Sequence, residues 1–234
     1  MANNGRTPRR ILHTGDLHLE SLGSEACDCL KAVVDLAVDK AADLVLIAGD
    51  LFDGNRVDVS LIGFAAEQLR RVPAQVVVLP GNHDCLVAGS VYEKVDIWRS
   101  APNVYIITAL QGETIALPDL GISIWGKPLT SNVGDARPLS GIPRNLEREQ
   151  WNIAVAHGYY VDSQPPAFPS FHITEEEIIT SGLDYIAMGH VPLFRCVCSE
   201  PVQAYYCGSP PAYGTVAIVD LADKTGVQVT CHSL

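Results

Sequence analysis

Residues 43–53, DLVLIAGDLFD, combine a short apolar run with an abrupt polar ending. A continuous apolar run of this length predicts a buried strand, and the Gly-Asp pair that follows it indicates a loop at the end of that strand. Four further segments have the same form: ILHTGDLH (11–18), QVVVLPGNHD (75–84), NIAVAHG (152–158) and DYIAMGH (184–190). The sequence therefore predicts five strands that each end in a polar loop.

Helical periodicity separates the first three of these strands. Apolar residues keep helical spacing from Leu30 to Ala41, and again from Ile62 to Val72. The alternation of strand and helix predicts right-handed crossovers and a parallel sheet. In such sheets ligands bind at the carboxyl edge, which is where the polar loops lie.

The second half of the chain has a different pattern. Its short runs are rich in β-branched residues and predict hairpins and a second sheet; they lie at 104–108, 114–117, 121–125, 194–199, 203–207, 215–221 and 227–232. A helix is expected at 174–181 with Thr174 as N-cap, whereas 128–150 and 163–170 are expected to be loops. The expected fold class is α/β, with two packed mixed β-sheets flanked by helices in a four-layer α/β/β/α sandwich. One domain is expected over residues 1–234, without an evident extra DNA-binding or capping domain.

The composition bears on the expected location of the protein and on the partners it can bind. The chain has 234 residues and a formal net charge of −11, and no window reaches the ~20 apolar residues of a membrane span. No apolar leader follows the basic start, so a cytoplasmic protein without a membrane partner is expected. The acidic charge gives no support to nucleic acid as a partner, although two bound cations would cancel about four charges where a phosphate arrives. Nucleic acid and the oligomeric state both stay open.

Metal-ligating side chains collect at the predicted strand ends. Any one of these loops would fit an ordinary turn, but four of the seven histidines follow this rule: His18, His83, His157 and His190. With nearby carboxylates and an amide, they match the preferences of Mn²⁺, Fe²⁺ or Zn²⁺. A single zinc ion needs only about four ligands. The surplus predicts two cations ~3.5–4 Å apart, an arrangement typical of phosphoester hydrolysis.

The motifs DLH, GDLFD, GNHD, AHG and GH follow one another between Asp16 and His190. In this order they resemble the calcineurin-like metallophosphoesterase superfamily. The segments HTGDLHL, LIAGDLFD, VVVLPGNHD, DYIAMGH and YYCGSP are most similar to its DNA-repair exonuclease branch.

The resemblance implies a role for each motif residue. Two divalent cations are implied, with Mn²⁺ favoured over Fe²⁺ or Zn²⁺, and their ligands would be Asp16 and His18 on the first, Asp50 on both, and Asn82, His157 and His190 on the second. His83 would be the catalytic histidine that contacts the scissile phosphate. Asp84 would orient His83 through a hydrogen bond, and Asp53 would brace the GDLFD loop.

One position departs from the family pattern. The family motif is GHxH, with its second histidine on the first cation, but here Pro192 takes that place. Proline cannot ligate through its side chain, so the first cation would keep Asp16, His18 and Asp50. Water or another side chain such as His172 could fill the gap. Unequal affinities for the two cations are expected.

The expected activity is hydrolysis of phosphate esters, most of all phosphodiesters as in an exonuclease, through attack by a hydroxide shared by two cations. A phosphomonoesterase or small-nucleotide phosphodiesterase is the first alternative, favoured by the acidic charge. A catalytically weak scaffold protein of the same fold is the second, and Pro192 keeps it open.

Overall fold

The computed structural model describes residues 5–162 and 170–234, so the loop expected at 163–170 lies outside the described residues except for Ser170. The strands are β1 (Arg9–Thr14), β2 (Leu44–Ala48), β3 (Gln75–Leu79), β4 (Val104–Ile106), β5 (Glu113–Leu117), β6 (Ile122–Gly126), β7 (Trp151–His157), β8 (Tyr159–Val161), β9 (His172–Thr174), β10 (Tyr185–Gly189), β11 (Phe194–Cys198), β12 (Gln203–Cys207), β13 (Thr215–Ala222) and β14 (Gly226–Ser233). The helices are α1 (Glu25–Asp39), α2 (Val59–Arg70), α3 (Val95–Trp98), α4 (Glu175–Ile179) and α5 (Pro210–Tyr213), with a 3₁₀ turn at Val91–Glu93.

The first sheet has the strand order β14-β13-β1-β2-β3-β4. Strands β1 to β4 are parallel, as expected for the first three, whereas β13 and β14 are antiparallel. The assignment of all the later short runs to a second sheet is therefore wrong for β4, β13 and β14. Their patterns predicted strands but carried no information about which strand each would pair with.

The second sheet has the strand order β11-β12-β10-β7-β6-β5. Its central strands β7 and β10 are parallel and buried along their whole length, which explains their continuous apolar runs. The two sheets face each other across a core that includes Leu46 and Val77 from the first and Ile153 and Ala187 from the second.

Helices and loops cover the outer faces and complete the four-layer sandwich. Helices α1 and α2 pack on the first sheet, while α4, strand β9 and the Leu139 loop pack on the second. Helix α1 begins at Glu25, five residues before the apolar pattern indicated, because its first turn is partly polar. Thr174 caps α4 through a capping box with Glu177, as expected. In the described part of the chain no helix is long and apolar enough to cross a membrane.

The two sheets approach each other closely at the carboxyl ends of β2, β7 and β10. Nδ1 of His157, at the end of β7, donates a hydrogen bond of 2.8 Å to the carbonyl oxygen of Ala48, at the end of β2. A Cβ at Gly189 would collide with that same carbonyl oxygen. Glycine therefore permits the approach that brings the polar loops of both sheets to one place.

Candidate metal centre

The loops that carry the predicted ligands have an uncommon backbone. Asp16, His18 and Asp50 have φ values of 51°, 49° and 51°, and His190 has a φ of 96°. Residues other than glycine rarely adopt this left-handed region, and such positions cluster at functional sites. The amides of Asp16 and His18 donate to the carbonyl oxygens of Gly49 and Asp50 at 3.1 and 3.0 Å, so the two loops hold each other in this form.

Four donor atoms converge where the two sheets meet, and we call them the four-donor group: Asp50 Oδ2, Asn82 Oδ1, His157 Nε2 and His190 Nδ1. His157 Nε2 lies 2.9 Å from Asn82 Oδ1, 3.2 Å from His190 Nδ1 and 3.2 Å from Asp50 Oδ2. His190 Nδ1 lies 3.1 Å from Asn82 Oδ1. Adjacent ligands of an octahedral cation with bonds of ~2.1 Å lie about 3.0 Å apart, so the spacings among Asn82, His157 and His190 fit a common cation, and Asp50 lies beside them next to His157.

The protonation of His157 supports the same conclusion. Its Nδ1 donates to the Ala48 carbonyl, which leaves Nε2 as the nitrogen that faces the group. Burial lowers the pKa of His157, but the charge and hydrogen bond of Asp50 and the charge of Asp16 outweigh burial and raise this pKa to about 9. A positive charge is thus favoured at this place, and a bound cation would supply it in place of the proton.

A second set of donors lies beside the first. One ligand atom from each of Asp16, His18 and Asp50 lies within 4.8 Å of the others. Burial raises the pKa of Asp16 to about 6, although the charge of His157 and the backbone amide of His190 oppose the rise. Burial also disfavours the charged form of Asp50, but His157 outweighs it and lowers the pKa of Asp50.

Pro192 has no side-chain atom that could ligate a cation in this set. Its carbonyl oxygen accepts a hydrogen bond of 3.0 Å from the amide of Ser209. Among the described residues His172 does not join the Asp16, His18 and Asp50 set either. His172 is buried on β9, and its Nε2 has no hydrogen-bond partner in the described part of the chain.

The structure corrects the expected partners of His83. Nδ1 of His83 lies 3.1 Å from the carbonyl oxygen of Asp53 and 3.4 Å from its Oδ1, while the His83 amide donates to Asp50 Oδ1 at 2.9 Å. Asp53, expected to brace the GDLFD loop, is therefore the carboxylate beside the imidazole. The hydrogen bond expected between Asp84 and the His83 ring is not formed, because both Asp84 oxygens accept from other donors.

The Asp84 carboxylate points into the protein and is fully buried. It accepts hydrogen bonds from the amides of Phe52 and Gly81 at 3.1 and 2.8 Å and from the hydroxyl of Tyr92. Burial raises the pKa of Asp84 to about 6, and these three hydrogen bonds oppose the rise. Asp84 thus joins the GDLFD and GNHD loops, whereas the His83 imidazole points outward.

Residues 9–194 match a family model described as Calcineurin-like phosphoesterase. The chain belongs to this family. Its sequence is 25% identical over 227 residues to the uncharacterized metallophosphoesterase YhaO of Bacillus subtilis (strain 168), with 88% of this chain and 54% of that protein covered. It is 22% identical over 200 residues to the DNA double-strand break repair protein Mre11 of Saccharolobus solfataricus, with 78% and 49% covered. The chain thus spans about half the length of these two family relatives.

Solved structures share the fold at low sequence identity. The protein TT1561 of Thermus thermophilus has a TM-score of 0.65 at 13% identity, with 97% of this chain and 99% of that chain covered. The purple acid phosphatase PPD1 from yellow lupin (Lupinus luteus) has a TM-score of 0.60 at 14% identity, with 98% and 52% covered. A protein described as a novel archaeal phosphodiesterase has a TM-score of 0.54 at 16% identity, with 96% and 99% covered. These likenesses support the α/β sandwich of the family.

Two residues that support the loops of the centre were not predicted from the sequence. Tyr92 bonds to Asp84 from thirteen positions beyond the end of β3, and no local pattern marks it. Ser209 donates to the carbonyl oxygen of Asp16 at 2.8 Å and so supports the first loop. The segment YYCGSP, which carries Ser209, could have indicated its place.

Proposed function

We propose that this chain is a metal-dependent phosphoesterase that hydrolyses phosphodiesters in the manner of an exonuclease. We also propose that residues 1–234 form one domain. Strands from both halves of the chain share the first sheet, which supports one domain. The observation that carries the function is the four-donor group at the meeting point of the two sheets: Asn82 Oδ1, His157 Nε2 and His190 Nδ1 lie 2.9–3.2 Å from one another, and Asp50 Oδ2 lies 3.2 Å from His157 Nε2. In the metal-free protein the charged His157 holds these atoms together, and a bound cation would take the place of its proton.

Six side chains are proposed to hold two divalent cations. The first would bind Asp16 and His18, the second would bind Asn82, His157 and His190, and Asp50 would contact both. Mn²⁺ is the favoured ion because carboxylate, amide and imidazole ligands suit it. When bound, the cations would activate water and offset the charge that develops on phosphorus.

His83 is proposed to assist the departing oxygen. Its side chain is 39% exposed and lies beside Asp53, so substrate can reach the ring. The Asp53 carboxylate and carbonyl hold the ring in one orientation, while the His83 amide is fixed by Asp50. A ring nitrogen so placed can donate a proton to an alkoxide leaving group.

Two relatives favour the diester class. One is described as a phosphodiesterase and another as a DNA double-strand break repair protein. The net charge of −11 instead favours a small substrate, which keeps a phosphomonoesterase as the competing candidate.

Substrate rank order tests the proposal. Protein reconstituted with Mn²⁺ is assayed on bis-p-nitrophenyl phosphate, on p-nitrophenyl phosphate and on a single-stranded DNA oligonucleotide. We expect turnover in the order diester and DNA above monoester, with loss of ~10²–10⁴-fold in His83→Ala. His232→Ala, which changes a histidine on β14, is the matched control and is expected to keep full activity. A higher rate on the monoester would identify a phosphomonoesterase, and no metal-dependent turnover on any substrate would identify a scaffold protein.

A further inference from the structure

A third set of metal-ligating side chains lies on the exposed side of the centre, and we call it the outer triad: His18, Asp53 and His83. One donor atom from each lies within 4.8 Å of the other two. Asp53 Oδ1 is 3.3 Å from His18 Nδ1 and 3.4 Å from His83 Nδ1. The two imidazole rings meet edge to face with centroids 4.7 Å apart. Two imidazoles and one carboxylate thus converge on one point.

These spacings fit a tetrahedral cation. With zinc bonds of about 2.0–2.1 Å, adjacent ligands of a tetrahedron lie about 3.3–3.4 Å apart. Three protein ligands would leave the fourth position for water. Zn²⁺ suits this donor set better than Mn²⁺, which prefers more oxygen ligands in octahedral geometry.

An orphaned atom also indicates a ligand. Nδ1 of His18 is buried but has no hydrogen-bond partner in the described part of the chain, although it faces Asp53. The opposite nitrogen of the same ring, Nε2, lies 3.9 Å from Asp50 Oδ2, on the side of the first cation position. His18 therefore faces two cation positions with its two nitrogens.

The outer triad is open to solvent on the side of Asp53 and His83, while Nδ1 of His18 lies at its buried end. The side chains of His18, Asp53 and His83 are 34%, 51% and 39% exposed, so a hydrated ion can reach them. The Nδ1 of His83 that faces Asp53 also donates to the Asp53 carbonyl, so binding there requires the tautomer with the proton on Nε2.

We propose that the outer triad is a third cation site, selective for Zn²⁺, that inhibits the enzyme when filled. The metal site stands on its own geometry, whereas inhibition rests on the proposed function. A zinc ion at the triad binds the His83 ring and so removes it from the substrate. It also competes for His18, whose first cation position is already short of one ligand at Pro192.

Metal counting tests the site without using activity. Wild type, Asp53→Ala and His83→Ala are equilibrated with Mn²⁺ and then with a zinc series, and zinc per chain is measured by mass spectrometry. Asp96→Ala, an exposed carboxylate paired only with Arg99 among described contacts, is the matched control. Exposed thiols such as Cys196 contribute equally to all four proteins.

The expected result is one zinc per chain fewer in Asp53→Ala and in His83→Ala than in wild type and Asp96→Ala, with circular dichroism unchanged. Activity of wild type falls as that zinc binds. Equal zinc content in all four proteins overturns the site. If the zinc difference appears but Mn²⁺-loaded wild type has no phosphoesterase activity, the site stands and the proposed function fails.

Discussion

Replacement of Asp84 separates a structural role from a catalytic one. Asp84→Ala removes the acceptor of two buried backbone amides, those of Phe52 and Gly81, and of the Tyr92 hydroxyl. Each buried donor left without a partner costs about 1–3 kcal/mol, so the three donors together cost about 3–9 kcal/mol. Small domains have about 5–15 kcal/mol of stability, and Asp84→Ala is therefore expected to leave the protein close to unfolding.

Milder substitutions at Asp84 and Tyr92 are expected to lose only part of this stability. Asp84→Asn keeps one acceptor oxygen and removes a charge that burial and Asp50 both disfavour, so a loss of about 1–3 kcal/mol is expected. Tyr92→Phe removes one hydrogen bond and is expected to cost about 1–1.5 kcal/mol. Asp96→Ala, whose partner Arg99 is also exposed, is the control and is expected to leave stability unchanged.

Urea unfolding of metal-free protein measures these effects through tryptophan fluorescence. Trp98 stacks on Tyr92 with centroids 6.0 Å apart and so reports on this region. The structural role predicts that stability falls in the order Tyr92→Phe, Asp84→Asn, Asp84→Ala. If Asp84→Asn instead keeps wild-type stability while its turnover falls like that of His83→Ala, Asp84 acts on His83 and the reasoning is refuted.

Three further predictions concern metal affinity and stability. Calorimetric titration of metal-free protein with Mn²⁺ should show two steps at least ~10-fold apart, because Pro192 leaves the first cation with fewer ligands; two equal steps would contradict this. Gly189→Ala should lower metal content, because its Cβ collides with the Ala48 carbonyl that holds His157, whereas Gly63→Ala in α2 has open space and should not. Arg6→Ala should cost about 1–2 kcal/mol in urea unfolding, because its guanidinium stacks on Trp151 at 3.5 Å and bonds to acidic partners; equal unfolding curves would count against this contact.

The strand ends were the most predictable part of the molecule. Buried parallel strands require continuous apolar residues, and polar residues that interrupt such a run mark the loop that follows. This local rule located Asp16, Asp50, Asn82, His157 and His190 at strand ends before any pairing was known. The same rule could not assign β13 and β14 to the first sheet, because strand pairing depends on contacts distant in sequence.

The sequence by itself determined the fold class, the family and the residue types that gather at one edge, because these follow from periodicity and from motif order. Only the tertiary structure decided which neighbour each side chain contacts. Asp53 ends the GDLFD motif and Asp84 ends the GNHD motif, and the two loops lie next to each other. Asp53 nevertheless faces the exposed His83 ring, whereas Asp84 is buried against Tyr92. Two residues of the same type in neighbouring motifs cannot specify such a difference, because the direction of each side chain depends on the partners that the folded loops bring to it: the His83 ring for Asp53, and the Tyr92 hydroxyl with two backbone amides for Asp84.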